Sequence, residues 1–259
     1  MIDSDHLHQD KTARSMSRWL RFGIAAYCLG TGIAALRYEP AVFSFMFTGL
    51  DWSSATTQLT ISVSCWLLIL IAPLMFLKRA TPLCALVSLW VVVEIATHLL
   101  GRQRFYELAP LAMATRLLTP IALILIWRNR VSTGAWILRI GISATFIGHG
   151  IESIQENPIF VDYLLAATTR CGLDPTELAA RQTLVAIGYL DVCAAVLLLV
   201  RPTRITLYYL IAWGFITALA RVVHSEWQGL EDFILRTPHW ASPLALWFYL
   251  YPTHGRSPQ

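Results

Sequence analysis

The sequence predicts an all-α integral membrane protein with eight transmembrane helices, arranged as two parallel four-helix-bundle repeats. Three observations carry this. Hydrophobic residues make up 56% of the chain and charged ones only 14%, with a mean hydropathy of +0.56, where a soluble domain carries about a quarter charged residues. Apolar runs close to the ~20 residues that cross a bilayer recur along the chain. Finally, residues 21–36 (RFGIAAYCLGTGIAAL) return 118 positions later as residues 139–154 (RIGISATFIGHGIESI), with seven of sixteen positions identical.

Residues 1–17 are polar and read as a disordered cytoplasmic tail, 18–130 as unit 1, 131–252 as unit 2, and 253–259 as a second cytoplasmic tail. The first span, 18–37, follows Arg14 and Arg18 as a cleaved signal would, but its copy lies mid-chain where no signal acts, so it is expected to stay as a helix. Tyr38-Glu39-Pro40 stops it, and an aromatic interfacial segment follows. Spans are then expected at 56–77, 82–101 and 108–127. Unit 2 repeats the plan at 135–154, 178–200 and 204–224, with Glu156-Asn157-Pro158 as its stop and a longer interfacial loop. The eighth span is expected within 236–252, where Ser242-Pro243-Leu244-Ala245-Leu246 matches Thr119-Pro120-Ile121-Ala122-Leu123.

Lys11, Arg14, Arg18, Lys78, Arg79, Arg128, Arg130, Arg201, Arg204 and Arg256 fall on one side of an eight-span topology. By the bias of basic residues toward the cytoplasm, that side and both termini are cytoplasmic. Four spans per unit make the repeats parallel. The net charge of +4 comes from helix ends and gives no nucleic-acid signature. Five cysteines form no CxxC, and no Walker loop, GxSxG, HExxH or dinucleotide fingerprint is present.

Ionisable side chains inside a membrane cost about 2.5–3.5 kcal/mol each on insertion scales, so they tend to have partners or functions. In unit 2 the set is His149, Glu152, Asp191, Arg221, His224 and His239, converging on the non-cytoplasmic half as candidate ligand-binding residues. His149 and Glu152 stand three apart on one helix face, a spacing that with His224 suits a metal or a locking pair. Two histidines on facing helices suit a haem, with His149 and His224 as the leading pair. Unit 1 has Thr31 and Ala34 where unit 2 has His149 and Glu152. It keeps Glu94, His98 and Arg116, read as structural ion pairs, with Arg221 expected to neutralise Asp191 or Glu152. Arg21 and Arg139, at equal positions, read as snorkelling to cytoplasmic head groups.

A unit that opens on an arginine, continues as a glycine-rich helix ending in His149-Gly150, places Asp191 in an apolar run after Gly188, and ends a later helix in Arg221-Val222-Val223-His224 resembles the DoxX-like superfamily of bacterial four-helix membrane proteins, here in tandem. The family pattern has Glu where this chain has Asp191. The resemblance implies a multi-pass protein of the bacterial inner membrane that is redox-associated, either a membrane oxidoreductase or a subunit of one. The expected function is binding of a small ligand, with a quinone foremost, in a polar pocket of unit 2 near the periplasmic side. Quinone, metal and haem are the candidate cofactors. The lipid bilayer, a small molecule and other membrane subunits are the candidate partners. A non-catalytic subunit and a small-solute transporter are the rival readings.

Overall fold

The computed structural model describes residues 4–77, 81–102 and 104–251. Helices dominate: α1 (Ser4–Arg37), α2 (Ala41–Ser44), α3 (Ser54–Leu74), α4 (Thr81–Leu100), α5 (Ala109–Ala112), α6 (Ala114–Trp127), α7 (Val131–Ile154), α8 (Pro158–Arg170), α9 (Glu177–Val200), α10 (Arg204–Ser225), α11 (Leu230–Leu235) and α12 (Pro238–Leu250). Among the described residues, seven stretches are long and apolar enough to cross a membrane: Lys11–Arg37, Ser54–Leu74, Thr81–Leu100, Tyr106–Trp127, Val131–Ile154, Glu177–Val200 and Arg204–Leu235. This is a multi-pass membrane protein by composition and fold. Leucines and isoleucines such as Leu67, Leu89, Leu190 and Ile205 stay exposed on the outer faces, as lipid contact requires.

Two expectations change. The stretch read as a tail up to residue 17 is helical from Ser4 onward, because the segment contains no proline and Met16 is 0% exposed, packed in the core. The eighth span corresponds to α12, which has 13 residues. At about 1.5 Å per residue it reaches ~20 Å, against ~30 Å of hydrocarbon. The helical run toward it is interrupted at Arg236-Thr237, and Pro238 and Pro243 occupy its first half. Lys78, Arg79, Arg256 and the tail at 253–259 lie outside the described residues.

α1 packs on α3, α6, α11 and α12, while α7 packs on α9, α12, α5 and α6. Glycines set the closest approaches. A Cβ at Gly30 would stand 2.5 Å from the Leu235 backbone N, and one at Gly148 would stand 2.8 Å from the Ala112 backbone N. Likewise Gly32 faces the Cys65 carbonyl at 2.9 Å, and Gly150 faces the Gly188 carbonyl at 2.9 Å. Such positions admit only hydrogen, which allows helix backbones to touch. Directions follow from the same contacts. Ser17 accepts from Trp127 Nε1 at 3.0 Å while Tyr27 lies beside Arg116, so α1 and α6 are antiparallel. Gly23 meets Ala241 and Gly30 meets Leu235, so α1 also runs antiparallel to α12 and α11. Gly141 meets Leu118 and Gly148 meets Leu111, so α7 is antiparallel to α6 and α5.

The interfacial loop expected after 154 is instead α8. Pro158 occupies its first turn, where the missing N–H costs nothing, and Asn157 caps it by accepting from the Ile159 N–H at 3.2 Å. Val161, with Phe160, Leu164 and Leu165 around it, buries the apolar face of α8 against Ala180 and Leu184 of α9. The counterpart after α1 is the four-residue α2, continued by a π-turn at Phe45–Gly49.

Arg139 is buried, not snorkelling. Its guanidinium donates to the Leu198 carbonyl at 3.1 and 2.9 Å and to the Leu199 carbonyl at 2.6 Å, satisfying the free carbonyls at the end of α9. Arg21 makes the weaker equivalent contact, from Nη1 to the Phe76 carbonyl at 3.4 Å.

Candidate functional site

A cavity of about 150 Å³ opens between α7, α8, α9, α10 and the start of α12. It lies at the end of the bundle away from the Arg128–Arg130 and Arg201–Arg204 turns. α8 forms its cover through Phe160, Tyr163 and Leu164, and α9 contributes Leu184 and Ile187. The titratable residues on its wall are His149, Tyr163, Asp191, Arg221, Arg236 and His239, joined by the polar Thr145, Ser153, Trp213 and Thr217.

Four of the six expected ligand-binding residues therefore meet: His149, Asp191, Arg221 and His239. The His149 and His239 rings lie 5.7 Å apart, centroid to centroid. Glu152 stands behind the wall and is 9% exposed. Its Oε2 lies 3.5 Å from His149 Nδ1 and accepts from Asn157 Nδ2 at 3.4 Å. The carboxylate thereby fixes the imidazole ring and couples it to the cap of α8. His224 does not join. It is exposed at the end of α10 and lies edge-on to Tyr163, with centroids 5.1 Å apart.

Asp191 is 4% exposed and accepts from the Tyr209 hydroxyl at 2.6 Å and from Trp213 Nε1 at 3.4 Å. These two donors come from one face of α10, four residues apart. Arg221, also 4% exposed, donates to the Thr217 carbonyl in its own helix, and its guanidinium lies 4.7 Å from the Tyr163 ring centroid. Among the described residues no ion pair joins Arg221 to Asp191 or Glu152, which corrects the expected neutralisation. Arginine in the same helix as its acceptor finds the i−4 carbonyl first, and tyrosine and tryptophan occupy the carboxylate.

Unit 1 departs from expectation in a parallel way. Glu94 accepts from the Tyr27 hydroxyl at 2.6 Å, and the Arg116 guanidinium lies 5.8 Å from the Tyr27 ring centroid. No ion pair joins Glu94, His98 and Arg116 among the described residues; His98 is half-buried in the last turn of α4. The arginine ion pairs among the described residues lie at the loop end of the bundle: Arg37 with Glu231 at 3.1 Å, Arg170 with Glu226 at 3.1 Å, and Arg181 with Glu156 at 2.9 Å and with Glu177 at 2.6 Å.

Three nitrogen atoms on the cavity residues are buried without a hydrogen-bond partner: His149 Nε2, His239 Nε2 and Arg221 Nε. Buried polar atoms are nearly always paired, so such a cluster marks a place where a partner belongs. No group of three or more His, Cys, Asp or Glu side chains converges to hold a metal among the described residues. His149 and Glu152 face each other while His224 lies apart, so the suggested metal set is not assembled. The cavity is also too small for a porphyrin between His149 and a second histidine.

Sequence reasoning missed Tyr163, Tyr209, Trp213 and Arg236. Tyr209 and Trp213 share the four-residue spacing of one helix face, which was the available signal. Tyr163 sits where a loop was expected, and Arg236, at the first residue of the range expected for the eighth span, falls in the turn before α12. No known family model, curated protein or solved structure matches the chain.

Proposed function

We propose that this chain is a tandem-repeat membrane protein of DoxX-like architecture whose second unit holds a small, ring-sized ligand, with a quinone head as the leading class. The observation that carries the reading is the partnerless trio of His149 Nε2, His239 Nε2 and Arg221 Nε at one cavity. An apolar cavity of about 150 Å³ accepts one benzene-sized molecule. A quinone carbonyl would accept from an imidazole or guanidinium N–H, and its ring would lie among Phe160, Leu164, Leu184 and Ile187. Apolar walls with a few convergent polar groups are the usual composition of a ligand site.

The proposed frame is two parallel four-helix repeats in a bacterial inner membrane, with eight spans, both termini cytoplasmic and the cavity on the periplasmic side. Several contacts support it. α6 and α12 are both antiparallel to α1, and α7 is antiparallel to α6, so α1 and α7 point the same way. Thr119 and Ser242, which occupy equal positions in the two units, hydrogen-bond to each other at 2.8 Å. A residue meets its own equivalent only near a two-fold axis. α11 and α12 together run from Leu230 to Leu250, as α5 and α6 run from Ala109 to Trp127, each broken by one irregular turn.

Two measurements test this. Reporter fusions after 132 and 202 should give cytoplasmic signals and one after 172 a periplasmic signal; a periplasmic signal at 132 would break the parallel frame. Purified protein in mild detergent should retain a quinone through solvent extraction, or bind added duroquinone, and His239→Ala should lose it. Wild-type protein that neither retains a quinone nor binds duroquinone would overturn the quinone reading.

A further inference from the structure

Three guanidinium groups gather around the cavity, and none has a carboxylate within 4 Å among the described residues. Arg221 and Arg236 are on the wall itself, and Arg116 stands behind them. Arg236 is within electrostatic reach of both others, and His239 within reach of all three. The neighbouring carboxylates are otherwise engaged. Asp191 is held by Tyr209 and Trp213, Glu152 by His149 and Asn157, and Glu231 by Arg37. Asp232 lies within electrostatic reach of Arg221 and Arg236 but is exposed and forms no ion pair with them. Like charges this close repel, and a neutral carbonyl offers a hydrogen bond without offsetting the charge. An anion does both, and a carboxylate matches the fork of a guanidinium.

The rest of the wall restricts which anion fits. Phe160, Leu164, Leu184, Ile187 and Ile216 leave no room for a large hydration shell. An inorganic oxyanion would exchange its water for alkyl and aromatic carbon on most sides, at high desolvation cost. A carboxylate on an apolar body keeps its charge at the Arg221–Arg236 end and lays its hydrocarbon against α8 and α9. We propose that the cavity selects a small organic monoanion, a carboxylate on a single ring or short chain, by its unpaired Arg221 and Arg236. This rests on the cavity being a ligand site, and sets an anion against the neutral quinone head as its occupant. α8 is the element that makes the selection workable, because it closes the apolar side while Tyr163 lies against the Arg221 guanidinium.

The test is equilibrium binding to the full chain in detergent micelles and again in nanodiscs. The probes are benzoate, benzamide, octanoate and duroquinone at neutral pH, where both acids are ionised. Benzoate should bind at least tenfold tighter than benzamide, which has the same shape without the charge. Octanoate against benzoate separates a chain-type from a ring-type acid, and either one well above benzamide supports the proposal. Arg236→Gln should cut carboxylate affinity at least tenfold, with Arg236→Lys restoring part of it. Asp191→Asn, which removes the one carboxylate on the wall, should tighten benzoate several-fold. A purely structural role for these groups would not predict that gain. Equal binding of benzoate and benzamide overturns the proposal. Binding of duroquinone without either acid overturns it too, while leaving the ligand site standing. Binding of benzoate but not duroquinone upholds it and removes the quinone. Failure of all four probes on monodisperse wild-type protein overturns both readings.

Discussion

The two halves of the chain, 18–130 and 131–252, hold their polar groups differently. In unit 1, Tyr27 satisfies Glu94 and leaves its ring beside Arg116, whose Nε is buried without a hydrogen-bond partner. In unit 2, Tyr209 and Trp213 satisfy Asp191, and His149, His239 and Arg221, which line the cavity, each keep one buried nitrogen without a partner. The interfacial helix separates the two cases further. α2 is one turn followed by a π-turn, whereas α8 is 13 residues long and covers a cavity. A tyrosine–carboxylate hydrogen bond thus occurs in both halves, and the cavity covered by α8 lies beside the second.

The sharpest way to break this comparison is through the shared glycines. A side chain at Gly150 would strike the Gly188 carbonyl, and one at Gly32 the Cys65 carbonyl, and backbone cannot yield. Gly150→Val and Gly32→Val should each cost about 3 kcal/mol or more, the upper range of overpacking. Both variants should lose monodisperse protein in size-exclusion chromatography. A silent Gly32→Val would mean that the units do not share a scaffold.

A second pair separates stability from binding. Tyr27→Phe and Tyr209→Phe each remove a donor from a buried carboxylate, costing about 2 kcal/mol in thermal or denaturant unfolding. Only Tyr209→Phe should also change ligand affinity, because Asp191 is on the cavity wall. Equal effects on affinity would place the working site outside unit 2.

The smallest expected effect concerns the contact between units. Thr119→Ala removes the hydrogen bond to Ser242 and the one to the Thr115 carbonyl, and should cost about 1–2 kcal/mol. Ser242→Ala, which loses only the shared bond, should cost less, and the double variant should cost little more than Thr119→Ala alone. Fully additive losses would show that the two hydroxyls do not depend on each other.

The membrane class and six of the spans to within a few residues were legible in the sequence. So was the concentration of polar groups in unit 2. Hydropathy reports these because a bilayer forces length and apolarity on each helix in isolation. His149, Asp191, Arg221 and His239 were nominated correctly as neighbours because intramembrane polar groups on one leaflet have few places to go. Partner choice was not legible. Whether Asp191 meets Arg221 or Tyr209 depends on how α9 and α10 rotate about their axes, which hydropathy does not fix. His224 was misplaced because it lies at the end of α10, exposed beside the Tyr163 ring and not on the cavity wall. α8 was read as loop because its apolar face becomes apparent only once Ala180 and Leu184 lie beneath it. The sequence by itself determined which segments enter the membrane, since that is a property of each segment against solvent. Only the tertiary structure decided which polar atoms are left over, since that is a property of the whole set of contacts at once.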